Sequence, residues 1–158
     1  MLEHDALLLR PGSAAGTRAI LDVRGAALGF VCRQAASARP WWAWLAPPVL
    51  EVREQEDAPL VFTLRRGWGL TPRYLVGDAE GRRVGRVAGR AVLDWHGRLV
   101  ARFIAAADGG TWRGPEGEEL ARLTGEDGGQ RLTFAAAAND DPFLRMLLLA
   151  AALVVADR

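Results

Sequence analysis

Apolar residues recur along this chain in short runs, several of them ended by an acidic residue with a glycine close behind it. Residues 49–54 alternate in part, with Val49, Glu51 and Arg53 set against Leu50 and Val52. A second run, 60–65, follows across residues 55–59. Alternation over this length predicts half-buried strands. Further strands are expected at 6–10, 19–21, 74–76, 91–93 and 119–123, with a short one at 110–113. The tally reaches about eleven or twelve, and a meandering sheet of that size curls until its edges meet.

The breaks share one register. Asp22-Val23-Arg24-Gly25 is followed by Leu28-Gly29, Asp78-Ala79-Glu80-Gly81 by Val84-Gly85, and Asp94-Trp95-His96-Gly97 by Val100-Ala101. Glu126-Asp127-Gly128-Gly129, followed by Leu132-Thr133, completes the set. Each unit reads acidic-x-x-Gly-x-x-aliphatic-small. A carboxylate at the first place accepts from backbone N–H groups farther on, and glycine at the fourth tolerates positive φ. The pattern predicts β-hairpins at all four places.

The periodicity changes after Asn139-Asp140-Asp141-Pro142, a capping group followed by proline at a first helical position. From Pro142 to about Ala156 the chain is apolar on every side, with Arg145 its only charge. Such a helix is buried all round or sits in a membrane. Fifteen residues make roughly 22 Å of helix, whereas a bilayer core needs about 30 Å. Strands of five to seven residues span roughly 17–23 Å, which matches the helix. The expected fold is therefore mainly β: a closed antiparallel barrel of about twelve strands around a central hydrophobic C-terminal α-helix. A single domain is expected to cover residues 1–158, because no linker long enough to separate two is evident.

Composition narrows the function more than the fold. The formal net charge of +1 is a poor match for bulk nucleic acid. All 20 basic residues are Arg, a bias that GC-rich codon usage explains as readily as selection for bidentate phosphate contacts. The acidic N-terminus is unlike a secretory signal, and no lipidation motif is present, so a cytoplasmic location is expected. The single cysteine, Cys32, can form no internal disulfide and reads as a small buried hydrophobe on an apolar strand. His4 and His96 are too few and too scattered for a zinc site, and His96 falls in a turn open to solvent. Gly67-Trp68-Gly69 lacks the strand-loop-helix setting of a nucleotide loop.

Two longer stretches resemble a known superfamily. Leu60-Val61-Phe62-Thr63-Leu64-Arg65-Arg66, then Arg73-Tyr74-Leu75-Val76-Gly77-Asp78 through Gly85, resemble the core of phospholipid scramblase-like and LURP-one-related proteins. Asp141-Pro142-Phe143-Leu144-Arg145 and the apolar run behind it resemble the end of bacterial members. The resemblance spans roughly residues 50–156 and implies the Tubby C-terminal-like fold, a twelve-stranded barrel around a central helix. It also implies peripheral contact with phospholipid headgroups. The chain departs from animal scramblases in having no Pro-rich tail, no Cys-rich acylation stretch and no calcium loop, since Asp140-Asp141 is too small a ligand set. The Lys-x-Arg pattern with which Tubby proteins hold phosphoinositides is also absent.

Arg65, Arg66, Arg73, Arg82, Arg83 and Arg86 fall around one strand pair. They are the candidate lipid-headgroup residues, expected to gather near one barrel end; the plainer alternative is a solvated strand face. Asp78 and Glu80 lie among them and dilute the charge. Trp41, Trp42 and Trp44, in the irregular stretch 35–48, are candidates for a membrane or partner loop that Trp68 joins, against the alternative of a flap over the barrel. No paired acid and base are evident, so no catalytic residue, metal or cofactor is expected. The expected function is a non-enzymatic binding or scaffold module touching a phospholipid surface peripherally. The runner-up is a protein-interaction or structural module without a lipid role. An enzyme holding a small ligand in the barrel mouth ranks last.

Overall fold

Twelve strands, each hydrogen-bonded to the next and the last to the first, close around one helix. The computed structural model describes residues 1–12, 17–33, 49–54, 59–67 and 73–156. The strands are β1 (Ala6–Pro11), β2 (Arg18–Leu21), β3 (Ala27–Arg33), β4 (Val49–Arg53), β5 (Leu60–Arg66) and β6 (Arg73–Asp78). They continue as β7 (Arg83–Ala88), β8 (Ala91–Asp94), β9 (Leu99–Ala106), β10 (Gly109–Arg113), β11 (Glu119–Glu126) and β12 (Gly129–Phe134). A 3-10 turn, Ala136–Ala138, leads to helix α1 (Pro142–Ala156). Every neighbouring pair is antiparallel, and β1 closes on β12 with Ala6 opposite Thr133. Closure leaves no strand edge unpaired.

The alternation in the sequence becomes inside and outside. Phe62 and Leu64 of β5, Val76 of β6, Val87 of β7 and Leu132 of β12 face inward and are almost fully buried. Helix α1 fills the axis, and every residue from Leu144 to Val154 is buried. Gly85 makes room for it: a Cβ there would sit 2.8 Å from the Leu147 side chain and 2.3 Å from the Leu93 carbonyl oxygen. No helix among the described residues is long and apolar enough to cross a membrane.

The helix is fastened at both ends. Asp141 caps it, its Oδ1 accepting from the N–H groups of Phe143 and Leu144 at 2.9 and 3.0 Å. Arg145 is buried in the first turn yet fully employed. It donates to the carbonyl oxygens of Leu2 (2.6 Å), His4 (3.3 Å) and Ala138 (3.2 Å), to the Asp5 carboxylate (3.2 Å) and to Asn139 Oδ1. Its guanidinium also lies 4.9 Å from the centre of the Phe134 ring. At the far end Arg18 donates to the Ala156 carbonyl oxygen at 2.7 Å, satisfying a helix C-terminal acceptor.

The acidic-glycine units resolve into one device. At Asp22, Asp78 and Asp94 the acidic residue's N–H donates to the carbonyl four residues on, and the glycine three on donates back to the acidic residue's own carbonyl. Each side-chain Oδ1 accepts at 2.8 Å from the N–H of the fourth residue on, Ala26, Arg82 or Arg98. Gly25, Gly81 and Gly97 take φ values of 84°, 79° and 86°. The aliphatic residue that follows is the extra residue of a β-bulge. Leu28, Val84 and Val100 have no partner opposite, while the small residues Gly29, Gly85 and Ala101 resume the pairing. The inserted side chains pack on the core.

The fourth member differs from the sequence expectation. Glu126–Gly129 is a two-residue turn in which Glu126 and Gly129 pair directly, positive φ falls on Gly128, and no bulge follows. The true fourth unit is Gly114-Pro115-Glu116-Gly117, with Gly117 at φ 88° and the same pair of backbone bonds. Leu120 is its inserted aliphatic and Ala121 its small residue. Glycine replaces the acidic group there, so the side-chain acceptor is lost and only the backbone pattern remains.

Candidate functional site

The six candidate arginines sit on β5, β6, β7 and the turn between β6 and β7. Inward positions are held by core residues, so Arg65, Arg73 and Arg86 point to the outer wall beside the buried Leu64, Val76 and Val87. Arg65 and Arg86 flank Leu75 in one cross-strand row. Arg83 stands opposite Gly77, two residues along β6 from that row, and Arg73 lies two residues the other way. Arg66 follows Leu64 at inward parity but beyond the last core layer, and is exposed. The residues thus form a strip along three strands rather than a cluster at one end. Arg65, Arg66 and Arg73 lie toward the end where α1 finishes, and Arg82 and Arg83 toward the end where it starts.

Their charges are not equivalent. Arg82 donates to Asp78 at 2.7 Å and to Glu80 at 2.9 Å, so its charge is compensated. Burial pushes the Asp78 carboxyl up, but the Arg82 side chain and backbone N–H outweigh it and hold the group below the usual carboxylate range. Asp94 is likewise held low: burial opposes, and the Arg98 N–H and guanidinium prevail. Glu51 pairs with Arg53 at 2.8 Å. Arg65, Arg66, Arg73, Arg83 and Arg86 have no ion pair with any described residue. The dilution expected from Asp78 and Glu80 therefore falls on Arg82 alone.

One group of residues escaped sequence reasoning. Trp95 and Phe143, 62% and 53% exposed, stand at the rim where α1 begins. The Trp95 ring lies against His96, which is exposed as expected. A lone aromatic in a hairpin turn gives no signal by itself; only the topology sets the turn at Asp94 beside the first turn of α1. Trp41, Trp42, Trp44 and Trp68, the loop candidates, lie outside the described residues. Cys32, expected to be buried, is only half-buried, because the alternation that turns Val31 inward sets it on the outer side of β3, its Sγ 3.8 Å from the Glu51 carbonyl oxygen. No group of three or more His, Cys, Asp or Glu able to hold a metal occurs among the described residues.

No family model matches the chain, and no curated protein matches it in sequence. Its fold is similar to the X-ray structure of a protein from Arabidopsis thaliana. The TM-score is 0.64 at 14% identity, over 96% of this chain and 88% of that one. The likeness establishes the barrel-and-helix fold and leaves the site to be read from these residues.

Proposed function

We propose that the barrel is a non-enzymatic binding module that docks peripherally on anionic phospholipid headgroups through the arginines of β5–β7. The observation that carries this reading is the strip of guanidinium groups at Arg65, Arg66, Arg73, Arg83 and Arg86, none of which has an ion pair among the described residues. Guanidinium is the side chain best matched to phosphate oxygens, because its planar fork donates two parallel hydrogen bonds. Each basic residue near an anionic leaflet contributes about 1 kcal/mol, so several acting together hold a protein there reversibly. Arg82 contributes least, since Asp78 and Glu80 already occupy it. In the same reading Trp41, Trp42, Trp44 and Trp68 supply interfacial aromatic contacts. The buried helix takes no part, because its apolar side chains are spent on the barrel core. The reading places the protein in the cytoplasm, at the membrane surface.

Sedimentation with vesicles tests this. At low salt the protein is expected to pellet with vesicles containing phosphatidylserine and to stay in solution with pure phosphatidylcholine. Failure to pellet with either composition would end the lipid reading.

A further inference from the structure

Between the turn at Asp78, the turn at Asp94 and the start of α1 lies a cavity of about 410 Å³. Its inner wall is apolar, formed by Val84, Val100, Leu144 and Leu147. Its lips are the exposed rings of Trp95 and Phe143. The carboxylates that reach it are already committed: Asp78 and Asp94 to Arg82 and Arg98, and Asp141 to the helix N–H groups. Two large rings held open over an apolar hollow mark a surface that gains free energy when something apolar covers it.

A second cavity, of about 250 Å³, lies on the outer wall and shares Arg83, Asp94 and Trp95 with the first. Arg86 and His96 line it. Among the described residues the Arg86 Nε–H is buried without an acceptor, and Arg83 has no carboxylate partner. A buried guanidinium N–H left unpaired is costly, and an oxyanion is the ligand group that satisfies it. An apolar hollow and an anion-seeking hollow thus meet at Arg83 and Trp95.

We infer that this rim holds one molecule of an anionic amphiphile. Its acyl chain lies between Trp95 and Phe143, and its carboxylate or phosphate head meets Arg83 and Arg86. The inference shares Arg83 and Arg86 with vesicle docking and is separable from it through Arg65, Arg66 and Arg73, which line neither cavity.

The test is calorimetric titration of the whole protein with laurate and with lauryl phosphate, each below its micelle concentration. Dodecanol and inorganic phosphate serve as single-feature controls. One of the two amphiphiles, or both, is expected to bind at one per chain, and the stronger identifies the head group. Dodecanol and inorganic phosphate are each expected to bind at least about tenfold more weakly, as is the favoured amphiphile to Arg86→Gln or Arg83→Gln, the loss typical of a hydrogen bond to a charged group. Phe143→Ser weakens the chain contact and leaves discrimination between heads unchanged. The triple variant R65Q/R66Q/R73Q is expected to bind amphiphile like the parent while losing vesicle association, so the two proposals fail separately. Arg86 is half-buried and the other positions are exposed, and an unchanged melting temperature confirms the fold of each variant. Absence of binding by both amphiphiles, dodecanol binding as tightly as they do, or arginine variants that bind like the parent would each overturn the inference.

Discussion

At the end of the barrel where α1 begins, five strand pairs each carry one extra aliphatic residue among the described residues: Leu28, Val61, Val84, Val100 and Leu120. At the opposite end the pairs β1–β2, β3–β4, β5–β6, β7–β8, β9–β10 and β11–β12 run in strict register with no insertion. A bulge bends its strand and increases the local twist. Repeated around one rim, it turns extra apolar side chains onto the start of the helix. That rim is specified by side chains: Asp22, Asp78 and Asp94 in the turns, Asp141 at the cap and Arg145 beneath it. The other rim rests on tight turns, such as those with positive-φ Gly89 and Gly128, and on the Arg18 contact to Ala156. Among the described residues, the hydrogen bonds of Asp141 and Arg145 anchor the helix where it begins, and the Arg18 bond to Ala156 meets it where it finishes.

Removing the helix is expected to have the largest effect. Truncation before Asp140 takes away the whole axial core, from Leu144 to Val154. The shortened chain is expected to yield no folded soluble monomer by circular dichroism and gel filtration; a cooperative monomer would refute the central-helix account. Next comes Arg145→Leu, which strands the carbonyls of Leu2, His4 and Ala138. A loss of about 3 kcal/mol is expected in chemical denaturation, because several buried acceptors lose their donor together. Arg18→Leu, which takes the donor from the Ala156 carbonyl, is expected to cost less, because it strands one backbone acceptor of the helix rather than three buried ones.

Gly85→Ala probes the bulged wall against the helix. Its Cβ would collide with the Leu93 carbonyl, a backbone atom that cannot step aside. Destabilisation of about 1–3 kcal/mol is expected from overpacking. The smallest effect concerns acid. Asp78, Asp94 and Glu119, the last through Arg122, all titrate below their ordinary range, and all three lie at the end where α1 begins. A carboxyl lowered by folding adds stability above its unfolded pKa and loses it as pH falls through the folded value. Hydrogen exchange at the Arg82 and Arg98 amides is therefore expected to quicken below about pH 4, ahead of amides in the tight turns opposite. Asp78→Asn should remove the Arg82 part of that dependence.

The two ends were also unequally legible. Carboxylates in a fixed register advertised three of the hairpins, and length arithmetic turned the apolar segment from a membrane candidate into a barrel axis. Gly114 hid the fourth unit, because glycine keeps the backbone pattern without the carboxylate that made the others visible. The turn at Glu126 imitated the motif through composition alone. Arg145 reads in sequence as an interruption of an apolar run; its acceptors at Leu2 and His4 lie more than 140 residues away and only the closed barrel brings them near. The arginine strip was visible as residues but not as geometry. Strand direction separates Arg82 and Arg83 from Arg65, Arg66 and Arg73, and hydrogen bonding singles out Arg82. Trp95 and Phe143 could not be paired until the turn and the helix shared a rim.

The most direct test of the functional account is the salt dependence of sedimentation with phosphatidylserine vesicles, measured for the parent, R65Q/R66Q/R73Q and Arg82→Gln. Exposed charges are screened over about 10 Å at 0.1 M salt, so binding through the strip must weaken steeply as salt rises. The account predicts that the triple variant loses most association at low salt, whereas Arg82→Gln keeps it. Equal binding by parent and triple variant, or binding indifferent to salt, would contradict it.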